Sequence, residues 1–208
     1  DAVQTVGKLP FNLRQSNLDY ISFSAHKLYG PKGVGALYIK NGAPFSSIIT
    51  GGSHEHSFRA GTENVAGIVG FAMALQIATE NLESEAHRLS TLRNQLETEI
   101  EKAIPRIKIN SRNAPRISNT SNITVESVDG ESVVLGMDLF GFCISTGSAC
   151  STGEPEPSHV LTAMGLSPRD AQSSIRFSLG KDTKEADINA AVGAAKKAIT
   201  RLRSVSSI

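Results

Sequence analysis

Three stretches of this sequence hold side chains that could do chemistry, and the first is Ser24-Ala25-His26-Lys27. It directly follows β-branched and aromatic residues that predict a strand. A lysine at the end of a strand can be partly desolvated, which disfavours its charged form and lowers its pKa, as a Schiff-base lysine requires. Ser24 and His26 could point together at an anion such as a phosphate. The alternative is a lysine on an ordinary surface loop.

The second stretch runs from Gly147 to Gly153 and surrounds Cys150 with small residues. Small neighbours cannot bury a side chain, so the sequence predicts an exposed thiol, part of which is the nucleophilic thiolate at neutral pH. Cys143 lies between Phe142 and Ile144, which predicts a buried apolar residue. A disulfide between the two cysteines is a less favoured alternative, because two cysteines in 208 residues do not form a disulfide-rich secreted scaffold.

The third stretch is the predicted strand 174–178, in which Arg176 is the charged residue. A buried or half-buried arginine needs a partner, and its planar fork suits a carboxylate. That carboxylate could belong to a ligand or to a structural Asp or Glu of the chain itself.

Metal ligation has little support in the sequence. The candidate ligands are the His-Glu-His run at 54–56 and the separate residues Cys143, Cys150 and His159. Their spacing matches no zinc pattern, and neither GxGxxG nor a Walker A motif is present. We therefore predict no metal site.

The elements that must position these residues alternate between strands and helices. The sequence predicts strands at 20–24, 34–39, 48–50, 107–109, 122–125, 142–144 and 174–178. The second of these is mostly apolar, which predicts burial on both faces. Helices are expected from Val65, behind Asn64 as N-cap, over 81–103, over 131–140 and from behind Thr183. The change from an all-apolar to an amphipathic helix near residue 80 indicates a domain boundary.

Composition limits the partners. Hydrophobic residues make up 39% and charged residues 20%, which predicts a folded chain. The net charge of +1 gives no electrostatic reason to expect nucleic acid or an anionic membrane as partner. The apolar run 65–78 is interrupted and shorter than the about 20 residues that cross a bilayer. These features predict a soluble protein in the cytoplasm.

Taken together, these stretches resemble the cysteine desulfurases of the NifS/IscS type, which are pyridoxal 5′-phosphate (PLP) enzymes. The matching segments occur in the order of the family and are Asp1–Gln4, Ser24–Gly33, Arg59–Thr62, Ser145–Cys150 and Glu156–Leu161. The Gly-Ser-Ala-Cys sequence and the long loop around it resemble the first group of these enzymes.

The resemblance implies a set of residues that hold PLP. Lys27 would carry the cofactor covalently. Asp1 would hold the pyridinium nitrogen, so that the ring acts as an electron sink. Gln4 would hydrogen-bond the phenolic oxygen of the ring, while Ser24 and His26 would bind the phosphate.

The resemblance also implies roles for three further residues. Thr62 would reach the phosphate site of the other subunit in a homodimer. Arg176 would bind the carboxylate of the substrate, L-cysteine. Cys150 would take the sulfur as a persulfide, leaving alanine, and would pass it to an acceptor protein for iron–sulfur cluster assembly or other sulfur transfer.

The fold implied by the resemblance is α/β, as in fold-type I PLP-dependent transferases. Residues 1–83 would end the PLP-binding large domain, and residues 84–208 would form a small C-terminal α/β domain with the catalytic loop 145–158. The chain would thus be the C-terminal portion of the enzyme, and we expect it to be inactive alone. Two alternatives remain: a selenocysteine lyase or related class V aminotransferase, and a catalytically silent interaction module.

Overall fold

The computed structural model describes residues 1–147 and 157–205. The chain divides into two compact units, Asp1–Ser84 and Glu85–Ile208. Cys150 lies outside the described residues.

The first unit combines a hairpin with one long helix. Strands β1 (Tyr20–Ser24) and β2 (Gly35–Ile39) pair antiparallel, with Ser24 opposite Gly35. Helix α1 (Val65–Glu80) begins where the sequence predicts, because the side chain of Asn64 accepts a hydrogen bond from the backbone of Gly67 at 3.1 Å. The core of this unit is small and forms where α1 packs on the turn that follows β1.

Two predictions for this unit are wrong. Strand β2 is not buried on both faces, since Gly35, Ala36 and Leu37 are exposed and its sheet has two antiparallel strands within the described residues. Residues 48–50 do not form a strand, since Ile48 and Ile49 lie in a bend. An apolar run shows that a segment can be buried, but it does not show which neighbours cover it.

Among the described residues, no single helix is both long enough and apolar enough to span a membrane. Helix α1 and the helix that follows it, α2 (Leu82–Ala103), meet that test only when taken together as a bent pair.

The second unit packs helices on an antiparallel sheet with strand order β3-β4-β6-β5. Helix α2 (Leu82–Ala103) begins in the last residues of the first unit and continues into the second. The remaining elements are β3 (Ile107–Ile109), β4 (Thr120–Val125), α3 (Gly130–Asp138), β5 (Ser145–Thr146), α4 (His159–Ala163), α5 (Pro168–Gln172), β6 (Ser174–Ser178) and α6 (Glu185–Val205). The predicted strand 142–144 is displaced: the paired residues are Ser145 and Thr146.

Alternation along the strands gives this sheet one apolar and one polar face. Ile123 on β4 pairs with Ile175 on β6, and both are fully buried against α2, α3 and α6. The residues directly before and after each isoleucine along its strand point to the opposite face. On that polar face, Asn122 pairs with Arg176 and Thr124 pairs with Ser174.

A buried ionic network ties α2 to β4. Glu97, 2% exposed, accepts two hydrogen bonds from Arg116 at 2.6 and 2.8 Å and one from Ser121 Oγ at 2.7 Å. Burial alone would raise the pKa of the Glu97 carboxyl. The hydrogen bonds from Arg116 and Ser121, and the charges of Arg116 and Arg93, outweigh burial and hold this pKa below its usual value.

Candidate cofactor and substrate sites

Lys27 lies in a short 3₁₀ turn, Ala25–Leu28, that continues directly from β1. Because a 3₁₀ helix has three residues per turn, Ala25 and Leu28 lie on the same side of it. Both are buried against Phe71 of α1. His26 and Lys27 are therefore turned outward and are exposed. The Lys27 amine makes no hydrogen bond or ion pair with any described residue, and its exposure differs from the partial desolvation that the sequence suggested.

The turn sits this close to α1 because of Gly30. A β-carbon on Gly30 would come within 3.0 Å of both the carbonyl oxygen of Ala25 and the side chain of Ala74. The backbone of Gly30 also donates to the Ala25 carbonyl at 3.0 Å and closes the turn. The Gly-Pro that follows Lys27 in the sequence thus fixes the turn against the helix.

Ser24 and His26 are brought together beside Lys27. The Ser24 hydroxyl and His26 Nδ1 are 2.8 Å apart and share a hydrogen bond. A hydroxyl and an imidazole that face the same exposed side of a turn can both donate to the oxygens of a bound phosphate. The two side chains therefore lie together, while their role as an anion site stays a prediction.

Asp1 and Gln4 lie on a turn that is attached to β1. The backbone of Ala2 donates to the carbonyl of Ser22 at 3.1 Å. The Asp1 carboxylate accepts from the backbone of Val3 at 2.7 Å, and Gln4 Oε1 accepts from Lys8 Nζ at 2.6 Å. Both side chains are exposed, and their predicted contacts with a cofactor stay predictions.

Thr62 lies apart from these residues in sequence, in the loop before α1. The loop is fixed by Ala60, which is buried and whose backbone donates to the carbonyl of Ile49 at 3.1 Å. Thr62 itself is exposed, which is compatible with contact to another subunit.

Arg176 lies in the polar face of the sheet of the second unit. It is half-buried on β6, between Asn122 of β4 and Ser145 of β5 in the strand register. Its Nε atom is buried and has no hydrogen-bond partner among the described residues. Because leaving a buried donor unpaired is unfavourable, this N–H indicates a position where an acceptor binds.

Cys143 differs from its prediction, whereas Cys150 lies outside the described residues. Cys143 is a free thiol and is exposed rather than buried, since the chain around it does not form the predicted strand. Among residues 1–147 and 157–205, no three His, Cys, Asp or Glu side chains gather as metal ligands.

The sequence profile described as aminotransferase class-V matches residues 1–191, which is most of the chain. The chain belongs to the class-V aminotransferase family. Class-V aminotransferases and cysteine desulfurases depend on PLP. The first unit fits this cofactor, because Lys27 offers an unpaired amine to its aldehyde and Ser24 and His26 offer donors to its phosphate.

The relatives of this class-V chain are named cysteine desulfurases. A protein of Dictyoglomus turgidum named cysteine desulfurase IscS is 46% identical over 206 residues, which are 99% of this chain and 52% of that protein. A cysteine desulfurase of Bradyrhizobium diazoefficiens is 44% identical over 207 residues, or 99% of this chain and 52% of the relative. The chain spans about half the length of the curated relatives it matches.

Solved structures confirm the α/β class. The X-ray structure of a NifS-like protein from Rickettsia africae matches with a TM-score of 0.87 at 35% identity, covering 96% of this chain and 52% of the other. The structure of SspA in complex with cysteine matches with a TM-score of 0.66 at 34% identity, covering 86% and 48%.

Sequence patterns did not identify the neighbours of Arg176. Asn122 and Ser145 flank it only through strand pairing, and the strand predicted at 142–144 leaves out Ser145. The signal that could have found Asn122 is its position in a predicted strand, one residue from the apolar Ile123.

Proposed function

We propose that this chain is part of a PLP-dependent cysteine desulfurase, which removes the sulfur of L-cysteine and leaves L-alanine. The observation that carries the proposal is the likeness to proteins named cysteine desulfurase over 99% of the chain. We assign residues 1–83 to the PLP-binding domain and residues 84–208 to the small domain. The first would hold the cofactor, and the second would supply substrate binding and the acceptor thiol.

The residues of the first unit would bind and orient PLP. Lys27 would hold it covalently, and Ser24 and His26 would bind its phosphate from one side of the turn. Asp1 would keep the ring nitrogen protonated, and Gln4 would bind the phenolic oxygen. When bound, PLP would serve as a sink for electrons released from bonds of the substrate.

The residues of the second unit would hold the substrate and take its sulfur. Arg176 would bind the carboxylate of cysteine through its fork, in which Nε still lacks an acceptor. The thiolate of Cys150 would attack the substrate sulfur, so that an S–S bond forms as the C–S bond breaks. The two electrons of the C–S bond would stay on carbon, which takes a proton to give alanine. Cysteine and the Cys150 thiol are thereby converted to alanine and a persulfide without an added oxidant.

We further propose that the enzyme is a homodimer in which Thr62 of each subunit reaches the phosphate held by the other. The persulfide would pass its sulfur to an iron–sulfur scaffold or another acceptor protein. Location in the cytoplasm stays a prediction.

The two cysteines provide the test. In the complete polypeptide that carries this chain, Cys150→Ser should bind PLP and cysteine but lose at least about 99% of alanine and sulfide production, because a hydroxyl is a poor sulfur acceptor. Cys143→Ser is the matched control, since Cys143 is an exposed free thiol, and it should keep its activity. Persulfide is located by alkylation and peptide mass spectrometry. Persulfide on Cys143, or turnover by Cys150→Ser, would contradict the assignment.

A further inference from the structure

Three side chains form a row across the polar face of the sheet of the second unit. Arg176 on β6 is opposite Asn122 on β4 and opposite Ser145 on β5. Directly paired residues of antiparallel strands project on the same face, with β-carbons about 5 Å apart. The side chains of Ser145 and Arg176 therefore project from the same face of the sheet, on neighbouring strands.

The hydrogen bonds of this row show which polar groups already have partners and which do not. Asn122 has partners, because its Oδ1 accepts from Asn110 Nδ2 at 2.6 Å and its Nδ2 donates to the carbonyl of Ile175 at 3.3 Å. Arg176 Nε is buried and has no acceptor among the described residues. Ser145 is half-buried, and its hydroxyl also has no partner in the described parts of the chain. Two residues that are paired across neighbouring strands thus each have a donor without an acceptor among the described residues.

We infer that Ser145 is a second binding residue for the substrate carboxylate, donating its hydroxyl to the anion that Arg176 holds. The inference rests on the proposed function and extends it to a residue outside the predicted site. A carboxylate fits this row because it is a monoanion with two acceptor oxygens, and the row offers one positive charge and two adjacent donors. Asn122 and Ser145 are neutral, so the row does not match the about two negative charges of a phosphate monoester.

Ser145 also selects for the carboxylate over an uncharged group of similar size. A hydrogen bond to a charged acceptor is stronger than one to a neutral acceptor, so losing the hydroxyl costs more with an anion. The carboxylate would then be bound by the same short strand, β5, from which the chain continues to Cys150.

The first experiment needs neither cofactor nor turnover. The arginine side chains of the 208-residue chain are labelled with ¹⁵N, and the Arg176 Nε–H signal is assigned by its loss in Arg176→Lys. Acetate is titrated at constant ionic strength, with acetamide as the neutral probe. Ser145→Ala should weaken acetate binding about ten-fold and leave the small response to acetamide unchanged. Ser145→Thr, which keeps a hydroxyl, should restore binding to within about three-fold.

Ser178→Ala is the matched control. Ser178 lies on the polar face of β6, two residues from Arg176, but it is exposed and pairs with Thr120. This variant should bind acetate like the unmodified chain.

The second experiment uses the complete, PLP-loaded polypeptide. Ser145→Ala should raise the KM for L-cysteine about ten-fold while kcat changes less than about three-fold. If Ser145→Ala binds acetate and keeps its KM for L-cysteine as the unmodified protein does, while Arg176→Lys raises that KM about ten-fold or more, the role of Ser145 is overturned and the carboxylate site of Arg176 stands. If Arg176→Lys also leaves the KM for L-cysteine unchanged, the proposed substrate-binding role of Arg176 fails as well.

Discussion

Replacing Glu97 by Gln should destabilise the second unit strongly without touching the row at Arg176. The substitution removes the negative charge that Arg116 and Arg93 face and leaves the Arg116 guanidinium, 15% exposed, without its partner. Breaking a buried ion pair by neutralising one member costs roughly 3 kcal/mol. With a urea m-value of about 2 kcal/mol per molar for a unit of this size, the unfolding midpoint should fall by about 1.5 M.

The assay can separate the two units within the intact chain. The three tyrosines, Tyr20, Tyr29 and Tyr38, all lie in the first unit and Trp is absent, so tyrosine fluorescence follows that unit. Circular dichroism at 222 nm also follows the long helices α2 and α6. Glu97→Gln should lower the midpoint seen by circular dichroism and leave the tyrosine midpoint unchanged.

Acidity supplies an independent check on the same residue. The pKa of Glu97 is lower in the folded chain than its unfolded value of about 4.3. Its contribution is therefore complete above that unfolded value and is lost as the pH falls through the folded pKa. The difference between Glu97→Gln and the unmodified chain should be full at pH 7 and should shrink progressively below about pH 4.

Glu99→Gln is the matched control on the same helix. The Glu99 side chain is 42% exposed and pairs with Lys102 at 2.7 Å, so this change should alter stability by less than about 1 kcal/mol. Equal midpoints for Glu97→Gln and Glu99→Gln, or a Glu97→Gln difference that persists unchanged in acid, would refute the reasoning.

Two further predictions concern the cofactor. In the complete polypeptide, Lys27→Ala should abolish covalent PLP attachment, tested by borohydride reduction and peptide mapping. Reduced cofactor on Lys32 in the unmodified protein would contradict the assignment of Lys27. The 208-residue chain alone should give no multiple turnovers of cysteine and should hold PLP poorly, because Ser24 and His26 supply only part of a phosphate shell. Stoichiometric PLP with steady alanine and sulfide production would overturn that expectation.

Local signals in the sequence predicted the helices well. The Asn64 side chain fixes the start of α1 through a hydrogen bond that involves only neighbouring residues. The stripe of Leu89, Leu92, Leu96 and Ile100 is buried as the periodicity of α2 predicts. Such helices can be predicted from the local sequence, because capping and burial both depend on residues within a few turns.

Strand pairing could not be predicted in the same way. The apolar composition of 142–144 suggested a strand, yet the hydrogen-bonded residues are Ser145 and Thr146, chosen by their register with β6. The same limitation made Cys143 look buried. Ser145 was consequently assigned to a loop, and its position beside Arg176 could not be seen. For the turn at Lys27, by contrast, all the decisive residues are contiguous, and the sequence identified them.

The close packing of Gly147 limits the positions that Cys150, the proposed sulfur carrier, can reach. A β-carbon at this position would come within 2.8 Å of Leu161 Cδ1 and 3.4 Å of the Ser158 side chain, so the stem of the loop lies directly against the start of α4. Cys150 follows Gly147 by three residues in the sequence, and a chain of three residues spans at most about 11 Å even when fully extended. If Cys150 carries the persulfide as proposed, an acceptor would have to bring its receiving atom to within about that distance, plus the length of the cysteine side chain, of Gly147.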